Sequence, residues 1–209
     1  MRSLVNRLFG LKKPYLEEGD TMKKFLVVGL GNIGEEYQDT RHNIGFQVLD
    51  ALAKKQGIEF TSDKLGSVGT FKVKGRSILL LKPSTFMNRS GKAVNYWMEK
   101  EKIGLEHVLI ITDDINLPFG TLRLKTKGSD GGHNGLADIQ NTLQTVQYNR
   151  LRFGLGANFS KGRQVEYVLG NWEAEEVKAL PERLDRCCEL VHSFVLQGVN
   201  ITMNQFNNT

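Results

Sequence analysis

The fold is decided by a short apolar run near the start of the chain, Lys24-Phe25-Leu26-Val27-Val28-Gly29-Leu30. An uninterrupted run of this length, rich in β-branched residues, predicts a strand that is buried on both faces. A second run of this kind, His107 to Thr112, is followed directly by Asp113 and Asp114. Strands buried on both faces need helices on each side of the sheet, so these runs indicate an α/β fold.

The remaining segments alternate between helix and strand patterns. We predict strands at 68–73 and 77–81, paired as a hairpin across Lys74-Gly75-Arg76, and further strands at 122–125 and 150–156. We predict helices at 44–56 (capped by Asn43 and stopped by Gly57), 91–100 (capped by Ser90), 135–143 and 174–196, the last interrupted near Pro181. Together they predict a single-domain α/β three-layer sandwich with a mixed, twisted sheet between helices.

The length of 209 residues fits one domain, which we place at residues 22–209. Residues 1–21 are interpreted as an N-terminal extension that can be flexible. Its basic, helically spaced first 13 residues leave two interpretations open, an organelle transit peptide and, preferred here, an appended amphipathic segment. No apolar run approaches the roughly 20 residues of a membrane span, so no membrane partner is expected.

Charge and cysteine content narrow the cellular context. The net charge of +5 permits a polyanionic partner such as RNA but does not require one. The only two cysteines are the neighbours Cys187 and Cys188, which form neither a disulfide framework nor a zinc spacing. We therefore predict a reducing, cytoplasmic location.

A glycine motif, Gly29-Leu30-Gly31-Asn32-Ile33-Gly34, follows the first strand and matches the G-x-G-x-x-G of dinucleotide-binding loops. Such a loop needs a helix that starts at the third glycine. Here Gly34 is followed by Glu35 and Glu36, which would repel a pyrophosphate, and the predicted helix starts later. A nicotinamide-dependent oxidoreductase and a glycine turn without a ligand both stay open as alternatives, the first disfavoured.

The carboxyl ends of the strands should gather the 29–34 turn, Asp113 and the 128–134 loop into one crevice. His42 is suited to proton transfer near neutral pH, and Asp113 could orient its imidazole. No G-x-S-x-G elbow is present, so water is the natural nucleophile. Amide donors for an oxyanion could come from three loop asparagines, Asn32, Asn88 and Asn134. No metal-ligand spacing occurs, and we predict no metal and no cofactor.

At these residues the sequence resembles the bacterial-type peptidyl-tRNA hydrolases, from Met22 to the C-terminal helices. Each separate block is modestly specific, and their order makes the resemblance strong. The blocks are Val28 to Asn32, Tyr37 with Thr40-Arg41-His42-Asn43, Thr85 to Gly91, Asp113 with Leu117-Pro118, Gly131 to Leu136, and Arg150 to Gly154. Ile33 and Asn116 depart from the family pattern, which often has proline and an acid there.

The resemblance implies the activity and the residue roles. The enzyme would hydrolyse the ester between peptide and tRNA in peptidyl-tRNA released from stalled ribosomes, as a monomer without metal. His42 would be the general base, Asp113 its orienting group, and Asn32 would position the ester or the water. Substrate would be bound by Tyr37, Phe86, Met87, Asn88, His133 and Asn134, and the tRNA 5′ phosphate by Lys125 and Arg152. A non-catalytic RNA-binding module is the remaining alternative.

Overall fold

The structure, a computed structural model, describes residues 23–207 and residue 209. It contains one seven-stranded mixed sheet in the order β2-β3-β4-β1-β5-β7-β6. The strands are β1 (Lys23–Gly29), β2 (Thr61–Asp63), β3 (Gly66–Val73), β4 (Arg76–Pro83), β5 (Val108–Asp114), β6 (Leu122–Lys125) and β7 (Asn149–Gly154). The predicted extension, residues 1–21, lies outside the described residues.

The centre of the sheet is parallel and its edges are antiparallel. β4, β1, β5 and β7 run parallel to one another, whereas β2–β3, β3–β4 and β6–β7 are antiparallel pairs. The two runs that decided the fold, β1 and β5, are direct neighbours, with Val27 opposite Leu109. The α/β class and the mixed sheet between helices are therefore confirmed.

Helices cover both faces of the sheet. They are α1 (Ile44–Gln56), α2 (Ser90–Glu101), α3 (Asn134–Leu143), α4 (Gln164–Val168), α5 (Ala174–Gln197) and α6 (Val199–Phe206). One core joins α1, α5 and α6 to Val27, Leu109 and Phe153. A second core, on the opposite face, joins α2 and α3 to Val28 and Ile110. None of the described helices combines the length and apolar character that crossing a membrane requires.

Close packing between β1 and α1 brings two functional segments together. A Cβ added at Gly29 would lie 2.1 Å from the carbonyl oxygen of Gly45, and one at Gly45 would lie 2.3 Å from the nitrogen of Leu30. The strand and helix backbones are therefore in direct contact, which only glycine at both positions permits. This contact places the loop after β1 beside the turn that precedes α1.

Several local predictions were wrong. Asn43 holds the N-cap position of α1 as predicted, but its side chain makes no capping bond and bonds to Asn32 instead. Ser90 is the first residue of α2 rather than its cap, and its hydroxyl donates to the carbonyl of Met87 at 2.8 Å. Pro181 lies inside an uninterrupted α5, since burial of later residues such as Leu190 and Phe194 holds the helix against the core. β2, α4 and α6 were not predicted.

Candidate active site

A crevice of about 310 Å³ opens at the carboxyl ends of β1, β5 and β7. The 29–34 turn, the end of β5 and the 128–134 loop all contribute to its walls, as the strand-end rule predicted. Nine of the eleven predicted site residues line it: Asn32, His42, Phe86, Met87, Asn88, Asp113, His133, Asn134 and Arg152. Tyr37 and Lys125 lie outside this lining.

His42 and Asp113 form a direct pair in the floor of the crevice. His42 lies in a 3-10 turn before α1, and its Nδ1 is 2.9 and 3.0 Å from the two carboxylate oxygens of Asp113. Burial alone would lower the pKa of His42, but the charge and hydrogen bond of Asp113 outweigh it and raise that pKa above its ordinary value. An ionised Asp113 requires the proton of neutral His42 to be on Nδ1, which leaves Nε2 as the free base.

Asp113 receives a second donor from His133. Nδ1 of His133 accepts hydrogen bonds from the backbone nitrogens of Gly135 and Leu136, so the proton of the neutral ring must be on Nε2. That Nε2 lies 2.9 Å from Asp113 Oδ1 and 2.7 Å from Thr112 Oγ1. Both ring nitrogens of His133 are therefore engaged within the protein, while the residue still lines the crevice, and its contact with substrate stays a prediction.

Asp113 is held ionised by this environment. Its burial favours the neutral acid, but the charges and hydrogen bonds of His42 and His133 outweigh burial and hold its pKa well below the ordinary range. The three side chains also form a group whose atoms could hold a metal ion. The distances of 2.9 to 3.0 Å from each histidine to Asp113 are those of hydrogen bonds, which account for these contacts without an ion.

Asn32 is held in place by Asn43, a buried residue that was predicted to cap α1. The side chain of Asn43 accepts from the backbone nitrogen of Asn32 at 2.8 Å and donates to its carbonyl at 3.0 Å. The side-chain oxygen of Asn32 accepts from the backbone nitrogen of Met87 at 2.9 Å. Because that oxygen is occupied, the Asn32 amide group can donate into the crevice beside His42.

The other two predicted amides lie on the rim. Asn88 follows Met87 in a 3-10 turn, and Asn134 is the first residue of α3; both side chains are exposed at the crevice. Phe86 is 55% exposed on the same wall. The crevice is also lined by Val165 and Val168 of α4 and by Leu169, which follows that helix. The crevice thus joins polar donors to exposed apolar surface, a combination suited to an extended peptide.

Arg152 stands at one side of the crevice in an ion pair with Asp114. Its Nε lies 2.9 Å from Asp114 Oδ2, and both side chains are largely buried. Asn116 donates to the other oxygen of Asp114 from its backbone and side chain, at 3.0 and 3.2 Å. Asn116 thus supplies donors to Asp114. The family that the sequence resembles often has an acid at this position, and an acid could not donate to Asp114 from its side chain.

Arg41, next to His42, is a further supporting residue that the sequence analysis missed. It is 4% exposed and bonds to Glu176 at 2.7 Å, and its guanidinium lies 4.5 Å from the centre of the Tyr167 ring. Its backbone nitrogen donates to the carbonyl of Gly170. These contacts tie the His42 turn to α4 and α5. Their partners lie more than 120 residues away, so no local pattern could have indicated them.

The comparisons with known proteins point to one family. The model of the family described as peptidyl-tRNA hydrolase matches residues 26–209. The peptidyl-tRNA hydrolase of Bacteroides fragilis is 60% identical over 184 residues, which cover 88% of this chain and 98% of that protein. That of Phocaeicola vulgatus is 58% identical over the same lengths. The crystal structure of peptidyl-tRNA hydrolase from Acinetobacter baumannii superposes with a TM-score of 0.83 at 39% identity, over 89% of this chain and 95% of that one.

Proposed function

The chain belongs to the peptidyl-tRNA hydrolase family, and on that premise we propose that it hydrolyses the ester between peptide and tRNA in peptidyl-tRNA released from stalled ribosomes, so that the tRNA is recycled. The observation that carries the mechanism is the His42–Asp113 pair, whose free Nε2 borders the crevice. An imidazole in this tautomer can take a proton from water.

The reaction needs a base, an attacking water and donors for the developing charge. His42 Nε2 removes a proton from water as the oxygen attacks the ester carbonyl, and Asp113 stabilises the imidazolium that forms. The free amide of Asn32 is placed to donate to the water or to the oxyanion. When the tetrahedral intermediate collapses, the tRNA 3′ oxygen leaves with the proton from His42. No step calls for a metal ion or an organic cofactor.

The crevice walls supply the binding groups. Asn88 and Asn134 would bind the peptide backbone near the scissile carbonyl, and Phe86 and Met87 would contact the peptide and the terminal nucleotide. Backbone recognition of this kind accepts many peptide sequences. We keep Tyr37, which is half-buried in the Glu35–Tyr37 turn, as a substrate contact outside the crevice lining.

Lys125 and Arg152 would hold the 5′ phosphate of the tRNA. Strand alternation puts Lys125 of β6 and Arg152 of β7 on the same face of the sheet. A phosphate contact fixes register without reading sequence, which suits an enzyme acting on many tRNAs. The molecular organisation we propose is a cytoplasmic monomer with its catalytic domain at residues 22–209 and an extension at residues 1–21, and size-exclusion chromatography with light scattering tests the monomer.

The deciding experiment compares the wild-type protein with His42→Ala on a peptidyl-tRNA and on the matching aminoacyl-tRNA. The wild type should release tRNA from the first, also with chelator present, and spare the second. His42→Ala should lower kcat by about 10³-fold or more, the contribution of a general base with its nucleophile. tRNA binding should be retained, and full activity of the variant would contradict the mechanism.

The nicotinamide alternative lacks the helix that it needs. Gly34 is followed by a 3-10 turn, Glu35–Tyr37, and α1 begins only at Ile44. The glycines instead allow β1 and α1 to touch and keep Asn32 beside His42. Multiple turnovers in the assay above would exclude the remaining alternative, an RNA-binding module without catalysis.

A further inference from the structure

Strands β6 and β7 carry apolar side chains on one face and cations on the other. Leu122, Leu124, Leu151 and Phe153 point into the core beneath α1 and α5. The alternate positions, on the opposite face, are Arg123, Lys125, Arg150 and Arg152. The register pairs Arg123 with Arg152 and Lys125 with Arg150. We call these four residues the cationic face; it lies at the edge of the sheet beside the 128–134 loop.

Arg150 is the buried member of this face. It is 1% exposed and ranks among the largest fully buried side chains. Its guanidinium donates to the backbone carbonyls of Gly128, Ser129 and Val146 at 2.9 to 3.1 Å, and it lies 3.9 Å from the centre of the Tyr148 ring. Within the described part of the chain its hydrogen-bond acceptors are all carbonyls, none a carboxylate, and its buried Nε has no acceptor.

A buried cation without an acid is costly, and the cost shows in its titration. Burial lowers the pKa of the Arg150 guanidinium and outweighs the opposing effect of Tyr148; the charge of Arg152 lowers that pKa as well, and Asp130 opposes it. Arginine nevertheless stays protonated in proteins. Three carbonyls could be satisfied by neutral amide donors at lower cost, so hydrogen bonding to the loop does not by itself explain a full charge here.

The charges around the crevice give a reason for a full positive charge at Arg150. The charge of Arg152 is offset by its ion pair with Asp114, and Asp130 adds a further negative charge in the neighbouring loop. The charges of Lys125 and Arg152 are therefore balanced by those of Asp114 and Asp130. Arg150 adds one unit charge on the same face, two residues along the strand from Arg152, in a buried environment where solvent screens it poorly.

We propose that Arg150 is a positioning residue of the phosphate site: its buried charge attracts the tRNA 5′ phosphate to Arg152 and Lys125, and its hydrogen bonds hold the 128–129 backbone in place. Arg150 does not touch the phosphate. This role rests on the proposed phosphate site, so its test must separate the two.

The test measures kcat/KM on a 5′-phosphorylated peptidyl-tRNA and on the same molecule after enzymatic removal of that phosphate. The ratio of the two values isolates recognition of the phosphate from folding and from ester chemistry. Arg150→Gln removes the charge and keeps an amide donor, and Arg150→Lys keeps the charge. Lys72→Met is the control for loss of one charge elsewhere. Lys72 is an exposed residue of β3, which lies toward the edge of the sheet opposite β6.

We expect Arg150→Gln to lower the ratio about fivefold, the effect of one unit charge roughly 9 Å from the phosphate at an effective dielectric constant of about 40. Arg150→Lys should stay within about twofold of the wild type, and Lys72→Met should match it. A ratio that Arg150→Gln leaves intact, or that both Arg150 variants lower equally, overturns the role of the charge. If the glutamine variant does not fold, Arg150→Met takes its place, because it also removes the charge, and an intact ratio in that variant contradicts the proposal.

Two further outcomes separate this inference from the proposed function. If the wild type does not distinguish the two substrates, the phosphate site itself is wrong and the role of Arg150 falls with it, while hydrolysis stands. If Arg152→Gln loses the ratio and Arg150→Gln keeps it, the phosphate site stands and only the role of Arg150 is overturned.

Discussion

Asp113 and Arg150 are both buried charges near one crevice, but they are satisfied in different ways. Asp113 receives hydrogen bonds from His42 and His133, both of which can carry charge, so its environment responds to protons. Among the described residues, Arg150 is satisfied by backbone carbonyls and an aromatic ring, and its guanidinium keeps a constant charge. The first arrangement suits a reaction that moves a proton, and the second suits steady attraction of a polyanion.

The boundary between the catalytic region around Asp113 and the cationic face lies between Asp113 and Asp114, two consecutive residues of β5. Asp113 faces His42 and His133, whereas Asp114 bonds to Arg152 on the cationic face. Because side chains alternate along a strand, one strand end can serve chemistry on one face and binding on the other. If the division is real, substitutions near Asp113 should change kcat and its pH dependence, and substitutions on the cationic face should change KM and its salt dependence.

Asp113→Asn is the strongest test of this separation between catalysis and binding. The asparagine has no charge to stabilise the imidazolium and puts an NH2 donor in place of Oδ2, 3.0 Å from His42 Nδ1, so His42 loses the partner that keeps its proton on Nδ1. We expect kcat to fall roughly 10²- to 10⁴-fold, as when the orienting carboxylate of a His–Asp pair is replaced, with little change in tRNA affinity. Single-turnover kinetics and filter binding measure the two quantities, and a comparable loss in affinity would show that the regions are not separate.

The next effect in size comes from Arg152→Gln. Removal of the guanidinium should raise KM for 5′-phosphorylated substrate by about tenfold and lower the slope of log affinity against log salt by about one, since one phosphate contact is lost. The rate at saturation should stay near that of the wild type. The melting temperature should be measured as well, because the substitution leaves Asp114 without its ion-pair partner. A fall in kcat with constant KM would show that Arg152 acts in catalysis rather than in binding.

Much of this division was predictable from the sequence, and the failures have a common cause. The apolar runs of β1 and β5 and the strand-end rule brought the 29–34 turn, Asp113 and the 128–134 loop together correctly. Predictions that assigned a side chain to its nearest helix end failed for Asn43 and Ser90, because these side chains bond to Asn32 and Met87 instead. Strand alternation could have grouped Arg150 with Arg152, but only burial and partners in the fold show that Arg150 is enclosed.

The smallest expected effect tests the proton-responsive region alone. His133→Asn keeps an oxygen that can cap α3 in place of Nδ1 and removes the Nε2 donor to Asp113. Among the described residues, His42 is then the remaining side-chain donor to Asp113, which makes the carboxylate a stronger partner for the imidazolium. The charged group in direct contact with His42 is Asp113, and the Asp114–Arg152 ion pair lies across the crevice.

The sign of the pH effect follows from the role of His42. The base must be neutral, so kcat rises with pH as His42 loses its proton, and Asp113 already raises the pKa of His42. Removing the competing donor should raise this pKa further. The acidic limb of the kcat profile should therefore move to higher pH, lowering activity a few-fold at pH 6, while the rate at pH 8 stays close to that of the wild type. A shift to lower pH, or a uniform loss at all pH values, would mean that His133 supports α3 or the substrate rather than Asp113.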